Sequence, residues 1–262
     1  MLEVATTAEP RTLAPGGDVF ERWAGLHDGF APLYCASVMR HAFGELHASL
    51  RPGAPVLDLG CGTGHATAAL GASGGFACGA DVDLDTMRLG RRRHAGIHLV
   101  AADLERLPFR DGCAEAAFCF SVLQYVDRRR ALEEIHRVLR PGGRFAIVEN
   151  LRGNPVALAY RAVRAASFAR FPRHWTPRGH LSWRGRGEIS RVFPGTCFRT
   201  FHLLSPLLLL AGPIARAPAD APAGSWTRRC VETVERGDDA LLRRFPVARS
   251  AAWLLVATGR KS

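Results

Sequence analysis

Glycine stands at positions 60, 62 and 64 in Val56-Leu57-Asp58-Leu59-Gly60-Cys61-Gly62-Thr63-Gly64, between a short apolar run and a stretch of helical character. Backbone without a Cβ lets a ligand come close, and a helix start offers N–H groups that have no partner inside the helix. A dinucleotide fingerprint needs glycine at the sixth place of G-x-G-x-x-G, and that place is His65. Asp58 also sits in the approach to the turn, where a pyrophosphate would meet a negative charge. The turn therefore prefers a ligand without phosphate, and one that can carry a cation. Asp81 follows Gly60 by 21 residues, at the end of the next apolar run. An acid there is placed to accept both hydroxyls of a ribose. Asp103 lies in Ala101-Ala102-Asp103-Leu104-Glu105, after a third run. A carboxylate beside a leucine suits a purine, the acid taking an exocyclic amine and Leu104 packing on the ring. Three acids and a glycine turn around an uncharged nucleoside with a positive end describe S-adenosylmethionine.

The elements that must hold these residues alternate. Strands are expected at Val56–Leu59, Phe76–Ala80, Ile97–Ala101, Ala116–Ser121 and Arg144–Glu149. Helices are expected at His65–Leu70, Asp83–Arg93 and Arg129–Leu139, the last stopped by Pro141-Gly142-Gly143. Short apolar strands separated by helices mean a parallel sheet covered on both faces. Asn154-Pro155 is a good helix start, and the helix it opens runs to about Arg170 with Val156, Tyr160, Val163 and Ser167 at helical spacing. Phe171–Arg186 reads as a loop rich in Pro, Arg, His and Trp, and Gly187–Val192 as a short helix. Phe198–Leu204 and Ala252–Gly259 read as closing strands, with a helix at Arg228–Arg244 between them. The expected organisation is a loose start over 1–18, a cofactor-binding core with cover helices over 19–150, a substrate cap over 151–197, and 198–262 completing the sheet.

Composition bounds the function. The chain has 262 residues, 47% of them apolar, which excludes a disordered protein. The longest apolar run, about Leu203–Ile214, holds two prolines and falls short of the ~20 residues of a spanning helix. The first ten residues lack the basic head of a secretory signal. Seven scattered cysteines without a CxxC pair suggest a reduced, cytoplasmic chain without zinc. The net charge of +11 invites a nucleic-acid reading. Yet Lys261 is the only lysine, an arginine bias that a GC-rich coding sequence also produces. The charge is uneven as well. Residues 1–150 carry 16 basic and 18 acidic side chains, net −2, and residues 151–262 carry 19 and 6, net +13.

Over Val56–Glu149 the chain resembles the class I S-adenosylmethionine-dependent methyltransferases, in the group acting on small molecules, quinones and lipids. The pieces that carry this are VLDLGCGTG, GADVD with Met87 downstream, DLERLPF, the strand ending at Ser121, and LRPGGRF, in order and at family spacing. Two departures are Ala114-Glu115, where the family often has Phe-Asp, and Gln124, where it often has His. The resemblance implies a Rossmann-like, doubly wound, mostly parallel seven-stranded sheet, helices on both faces, an antiparallel last strand, and a cap insertion after the fifth strand. It implies that Gly60, Cys61, Gly62 and Gly64 contact the methionyl part and ribose, and that Asp58 faces the ammonium. By the same resemblance Asp81 holds the ribose with Val82 against adenine, Asp103 and Leu104 bind adenine, and Ser121 sits under the sulfonium. Tyr34 is a further candidate, in a helix like the family's cofactor cover. Cys61 reads as a small packed residue, since a methyl donor leaves a thiol no role there.

For catalysis the resemblance points to His180 as a general base, in a stretch with His174, Trp175 and Trp183 that covers substrate in the family. Glu149, at the end of the fifth strand, points to the cleft by the strand-end rule, either positioning substrate or pairing with an arginine. Arg91-Arg92-Arg93 and Arg128-Arg129-Arg130 read as solvated faces. Arg161, Arg164 and Arg170 form either a solvated stripe or a basic lid that attracts an anionic substrate or a membrane surface. The expected activity is methyl transfer from S-adenosylmethionine, yielding S-adenosylhomocysteine, to oxygen, nitrogen or carbon of a small-molecule or lipid-like acceptor, which an anionic one would fit. No stable nucleic-acid partner is expected. The rival readings are an RNA methyltransferase and a non-methylating cyclase or binding protein on the same fold.

Overall fold

The computed structural model describes residues 35–47, 50–168, 177–210, 221–222 and 224–262. The expected loose start, Tyr34, His174 and Trp175 lie outside them. The first described helix, α1, is Ala36–His47, and β1 is Pro55–Leu59. Then come α2 (His65–Ala72), β2 (Phe76–Asp81), α3 (Leu84–Arg93), β3 (His98–Ala101), β4 (Ala114–Phe120), α4 (Arg128–Val138) and β5 (Leu139–Asn150). The second half holds α5 (Pro155–Phe168), α6 (Arg186–Val192), β6 (Cys197–Phe201), α7 (Trp226–Arg244) and β7 (Leu254–Arg260).

The strands form one seven-stranded sheet in the order β3-β2-β1-β4-β5-β7-β6. Pairing is parallel from β3 through β5, and β7 runs antiparallel to both β5 and β6. The central strands are apolar but for single acids, Asp58 in β1 and Glu115 in β4, because both faces are covered. Val56 of β1 joins a core with Val38, Met39 and Phe43 of α1, Phe118 of β4 and Val256 of β7. Leu57 and Leu59 join the opposite core with Leu132, Ile135 and Val138 of α4 and Leu255 of β7. The Phe43 and Phe118 rings meet at 5.1 Å between centroids. That alternation carries Asp58 into the first face, where it is 2% exposed.

Helix ends follow local chemistry. Asp83 caps α3, accepting from the N–H of Asp85 at 3.0 Å and of Thr86 at 3.1 Å. Asp127 caps α4 by accepting from the Arg130 N–H at 3.1 Å. Asn154 caps α5, its Oδ1 accepting from the Ala157 N–H at 3.0 Å while its Nδ2 donates to the Ala251 carbonyl at 2.9 Å. One expectation is corrected. Pro141-Gly142-Gly143, expected to stand between α4 and the fifth strand, lies inside β5, which begins at Leu139 directly after α4 ends at Val138. A residue before proline is biased away from the helical region, so the chain extends before Pro141. Leu139 then pairs with Ala114, and the Gly142 N–H reaches the Lys261 carbonyl at 2.8 Å.

The stretch expected as a cap contributes to the core. Leu181, Ile189 and Phe193 are buried beside α4 and β5. Leu181 bridges to Leu151, which follows β5, and the Arg152 N–H donates to the Leu181 carbonyl at 2.9 Å. Arg128 at the start of α4 holds this stretch twice, through Glu188 of α6 at 3.0 Å and the Gly179 carbonyl at 3.1 Å.

Candidate active site

The strand order reverses between β1 and β4: the chain builds outward through β2 and β3, then returns to the other side of β1. A crevice opens outside the carboxyl ends of strands at such a switch point, and ligands bind there in open α/β sheets. A cleft of about 480 Å³ occupies it, lined by Gly60, Gly62, Asp81, Val82, Asp103, Leu104, Ser121 and neighbours. That is in the ~300–1,000 Å³ range of small-molecule sites.

Gly60 follows β1 with φ 74°, and a Cβ there would collide with the Val122 side chain on the loop after β4. Only glycine lets these two strand ends close to this distance. The Gly62 N–H donates to Asp81 Oδ2 at 2.8 Å, tying the turn to the end of β2. The other oxygen, Oδ1, accepts from the Asp83 N–H at 2.9 Å. A carboxylate has about four lone-pair sites, so Asp81 keeps capacity for two further donors. A vicinal diol supplies that pair. Val82, 57% exposed, lies open on the cleft wall next to it. Asp103 Oδ1 accepts from the Glu105 N–H at 2.9 Å, and buried Leu104 lies between them in the lining.

Ser121 follows β4 at φ 59°, a region costly for residues with a Cβ. A network holds it there. Asn150 Nδ2 donates to Ser121 Oγ at 2.6 Å, Gln124 Nε2 donates to the same oxygen at 2.9 Å, and Trp253 Nε1 donates to Asn150 Oδ1 at 2.7 Å. Glu149 completes the support from beneath: Oε1 accepts from the N–H groups of Val122 at 2.8 Å and Leu123 at 2.7 Å. Burial pushes its carboxyl up to about 7.

The remaining expected residues sit elsewhere. Asp58 is under the turn rather than in the cleft lining. Its Oδ2 accepts from Thr67 Oγ1 at 2.6 Å, and burial pushes it up to about 7. Cys61 and Gly64 also lie outside the lining. The Cys61 sulfur packs by Gly79, and burial raises its thiol far above the ordinary value. Gly64 starts α2, where a Cβ would press on Ile97 Cδ1 at 2.9 Å. Glu149, 1% exposed, is a brace for the loop after β4, outside the cleft lining and in no ion pair with an arginine among the described residues. His180 is half-buried outside the cleft lining, and burial together with the Arg161 charge lowers it to about 4. Trp183 carries the Arg186 guanidinium over its ring at 4.0 Å and is likewise outside the lining.

Thr86, Glu105, Tyr125, Val126 and Arg178 line the cleft without having been singled out. Arg178 comes from the stretch after α5 and pairs with Glu105 at 3.1 Å. Its backbone N–H donates to the Gln124 carbonyl at 2.7 Å. Nothing local in the sequence marks it, because the contact spans 73 residues. Tyr125 was within reach, since it follows Ser121 by one turn of chain.

The lining carries Asp81, Asp83, Asp103 and Glu105 against Arg178. This negative field repels phosphate and favours a ligand with a cationic centre. Among the described residues no group of three or more His, Cys, Asp or Glu side chains is placed to hold a metal ion.

A family described as "Methyltransferase domain" matches residues 57–147. The ubiquinone/menaquinone biosynthesis C-methyltransferase of Acidiphilium cryptum is 35% identical over 189 residues, 68% of this chain and 76% of that protein. The demethylmenaquinone methyltransferase of Clavibacter sepedonicus is 43% identical over 101 residues, 37% of this chain and 41% of that protein. The malonyl-[acyl-carrier protein] O-methyltransferase of Pectobacterium atrosepticum is 35% identical over 128 residues, 47% and 48% of the two chains. Relatives such as these last two are thus matched over less than half their length. Among solved structures, an S-adenosylmethionine-dependent methyltransferase of Thermotoga maritima, described as a possible histamine N-methyltransferase, superposes with TM-score 0.54 at 16% identity, covering 93% of this chain and 94% of that one. A geranyl diphosphate methyltransferase in complex with its substrate and sinefungin gives TM-score 0.54 at 18% identity, over 86% and 77%.

Proposed function

The chain belongs to the class I S-adenosylmethionine-dependent methyltransferases, and we propose that it transfers a methyl group from S-adenosylmethionine to a small-molecule or lipid-like biosynthetic intermediate. The observation that carries this is Asp81, held on the cleft wall by two backbone N–H groups with capacity left for a ribose diol. The other contacts fit the same nucleoside. Leu104 and Val82 offer apolar surface for adenine, and Asp103 an acceptor for its amine. Gly60 and Gly62 leave room beside the sugar, and Ser121 lies at the far end, beneath the sulfonium. Cys61 and Gly64 shape the turn from behind. Asp58 acts from beneath the turn, where it accepts from Thr67, and its ionised form favours the ammonium end.

When bound, S-adenosylmethionine supplies an already activated methyl group. What remains for the protein is to align the acceptor behind that methyl and to exclude water. Orientation of this kind is worth ~7–11 kcal/mol. His180, lowered to about 4, is a poor proton acceptor at neutral pH. We therefore assign it to binding rather than proton abstraction, and Glu149 to bracing the Ser121 loop. The acceptors named for the relatives, a demethylmenaquinone and a malonyl carrier protein, favour a biosynthetic intermediate over RNA.

Calorimetric titration with S-adenosylmethionine and S-adenosylhomocysteine tests the reading. Micromolar binding is expected, weakened at least tenfold (~1.4 kcal/mol) by Asp81→Ala. Equal affinity in the two proteins would remove Asp81 from the site, and absence of binding to the native chain would end the proposal.

A further inference from the structure

At the C-terminal end of β5, two polar side chains stand without the partners their burial calls for. Arg161 of α5 donates through Nη2 to the Leu151 carbonyl at 3.1 Å. Its Nη1 is buried and bonded to nothing among the described residues. None of the ion pairs among the described residues involves Arg161. Across the same bridge, His180 has a buried Nδ1 that is likewise unbonded among the described residues. The two flank one bridge: Arg161 holds Leu151, and His180 precedes Leu181, the bridging partner of Leu151.

The surroundings make this pair unusual. Arg128 and Arg178, which flank the same stretch, each pair with a carboxylate, Glu188 and Glu105. A buried donor left unbonded costs ~1–3 kcal/mol, and more when it is charged. A guanidinium that pairs with no carboxylate among the described residues, across one bridge from an imidazole with an unbonded nitrogen, is suited to receive an anion. One oxyanion would accept from Arg161 Nη1 and from His180 Nδ1–H together. The place is also right for an acceptor. Asn150, which ends β5, bonds Ser121 at the sulfonium end of the cleft, and Arg178, two residues before His180, lines that cleft.

We propose that Arg161 and His180 form the anion-receiving end of the acceptor site and bind a singly charged oxyanion, a carboxylate or an ionised phenol or enol, on the molecule to be methylated. The proposal rests on the methyl-transfer reading of the cleft. It explains what that reading leaves over, namely why a half-buried arginine has no acid partner among the described residues. The lowered titration of His180 agrees with an imidazole kept neutral by burial and by a cation that nothing offsets.

The test uses the full chain saturated with S-adenosylhomocysteine, titrated with benzoate and with its neutral isostere benzamide. Benzoate is expected to bind at least tenfold more tightly. Arg161→Gln is expected to remove that preference and to leave S-adenosylhomocysteine affinity within twofold. In the native protein, nitrogen-15 shifts of the His180 ring should show its titration moving upward as benzoate fills the site and offsets the Arg161 charge. Equal binding of benzoate and benzamide to the native protein would overturn the proposal without any variant. So would undiminished benzoate binding to Arg161→Gln, or no benzoate binding at all. Failure of S-adenosylhomocysteine to bind would instead overturn the methyl-transfer reading beneath it.

Discussion

Single residues in this protein act mostly through backbone they hold in place. Glu149 was legible as a carboxylate at a strand end, and the strand-end rule aimed it at substrate. What the sequence hid was the loop after β4, whose two N–H groups claim it first. Its titration gives a test. A carboxyl raised from 4.5 to about 7 binds its proton more tightly when folded. Its contribution to stability is therefore full in acid and is lost as pH rises through about 7. Glu149→Gln cannot titrate and can still accept from both N–H groups. Urea melts of the two proteins should show the variant gaining on the native chain between pH 4.5 and 8, by up to about 1.4 kcal/mol per pH unit. A constant gap across that range would mean the carboxylate is ionised throughout. Asn150 deserves the same scrutiny, because it satisfies Trp253 and Ser121 together. Asn150→Ala should cost ~1–3 kcal/mol from the partners left unbonded. It should also lower turnover more than S-adenosylhomocysteine affinity, since Ser121 would lose its brace at positive φ. Equal loss of both would make the network only structural.

At the scale of elements, alternation of apolar strands with capped helices revealed β1 through β4 almost residue for residue, because each is fixed by local chemistry. Asp83 and Asp127 are ordinary caps, and Asn154 starts α5 where its side chain and the following proline said it would. The element-level errors come from pairing across long separations and from local backbone bias. β5 begins five residues before its expected start because Leu139 finds Ala114, and β6 stops at Phe201, before His202 at φ 64°. The stretch read as a loop over the cleft is pinned by Arg128, through the Gly179 carbonyl and through Glu188. Arg128→Ala should lower hydrogen-exchange protection across residues 177–192 while β1 and β2 keep theirs. Nucleoside affinity should change less than threefold, because Arg128 is absent from the cleft lining. Unchanged exchange in 177–192 would show that buried Leu181, Ile189 and Phe193 hold the stretch without it.

For the whole molecule, composition misleads where arrangement does not. A net charge of +11 speaks for nucleic acid, yet the cleft between β1 and β4 is lined by acids. The excess belongs to residues 151–262, beyond the strands that build the cofactor end. Charge summed over a chain says nothing about which side chains share a crevice; the return of β4 to β1 decides that. The three acids spaced through the sequence converge on this reversal, two in the lining and Asp58 beneath it. A ligand bound there bridges β1, β2, the loop after β3 and the end of β4, so it should stabilise the sheet as one unit. At a hundred times its dissociation constant, a ligand binding only the folded state contributes ~2.7 kcal/mol. For a chain of this size that moves Tm by roughly 5–10 °C. S-adenosylhomocysteine is expected to produce such a shift at both low and high salt, because the contacts proposed for it are hydrogen bonds and apolar packing rather than a row of ion pairs with phosphates. RNA held by the basic half would be released as salt rises, affinity falling ~10³–10⁵-fold between 50 and 200 mM if six to ten phosphates are engaged. A melting shift from RNA that outlasts 200 mM salt, with none from the nucleoside, would reverse the assignment of the cleft.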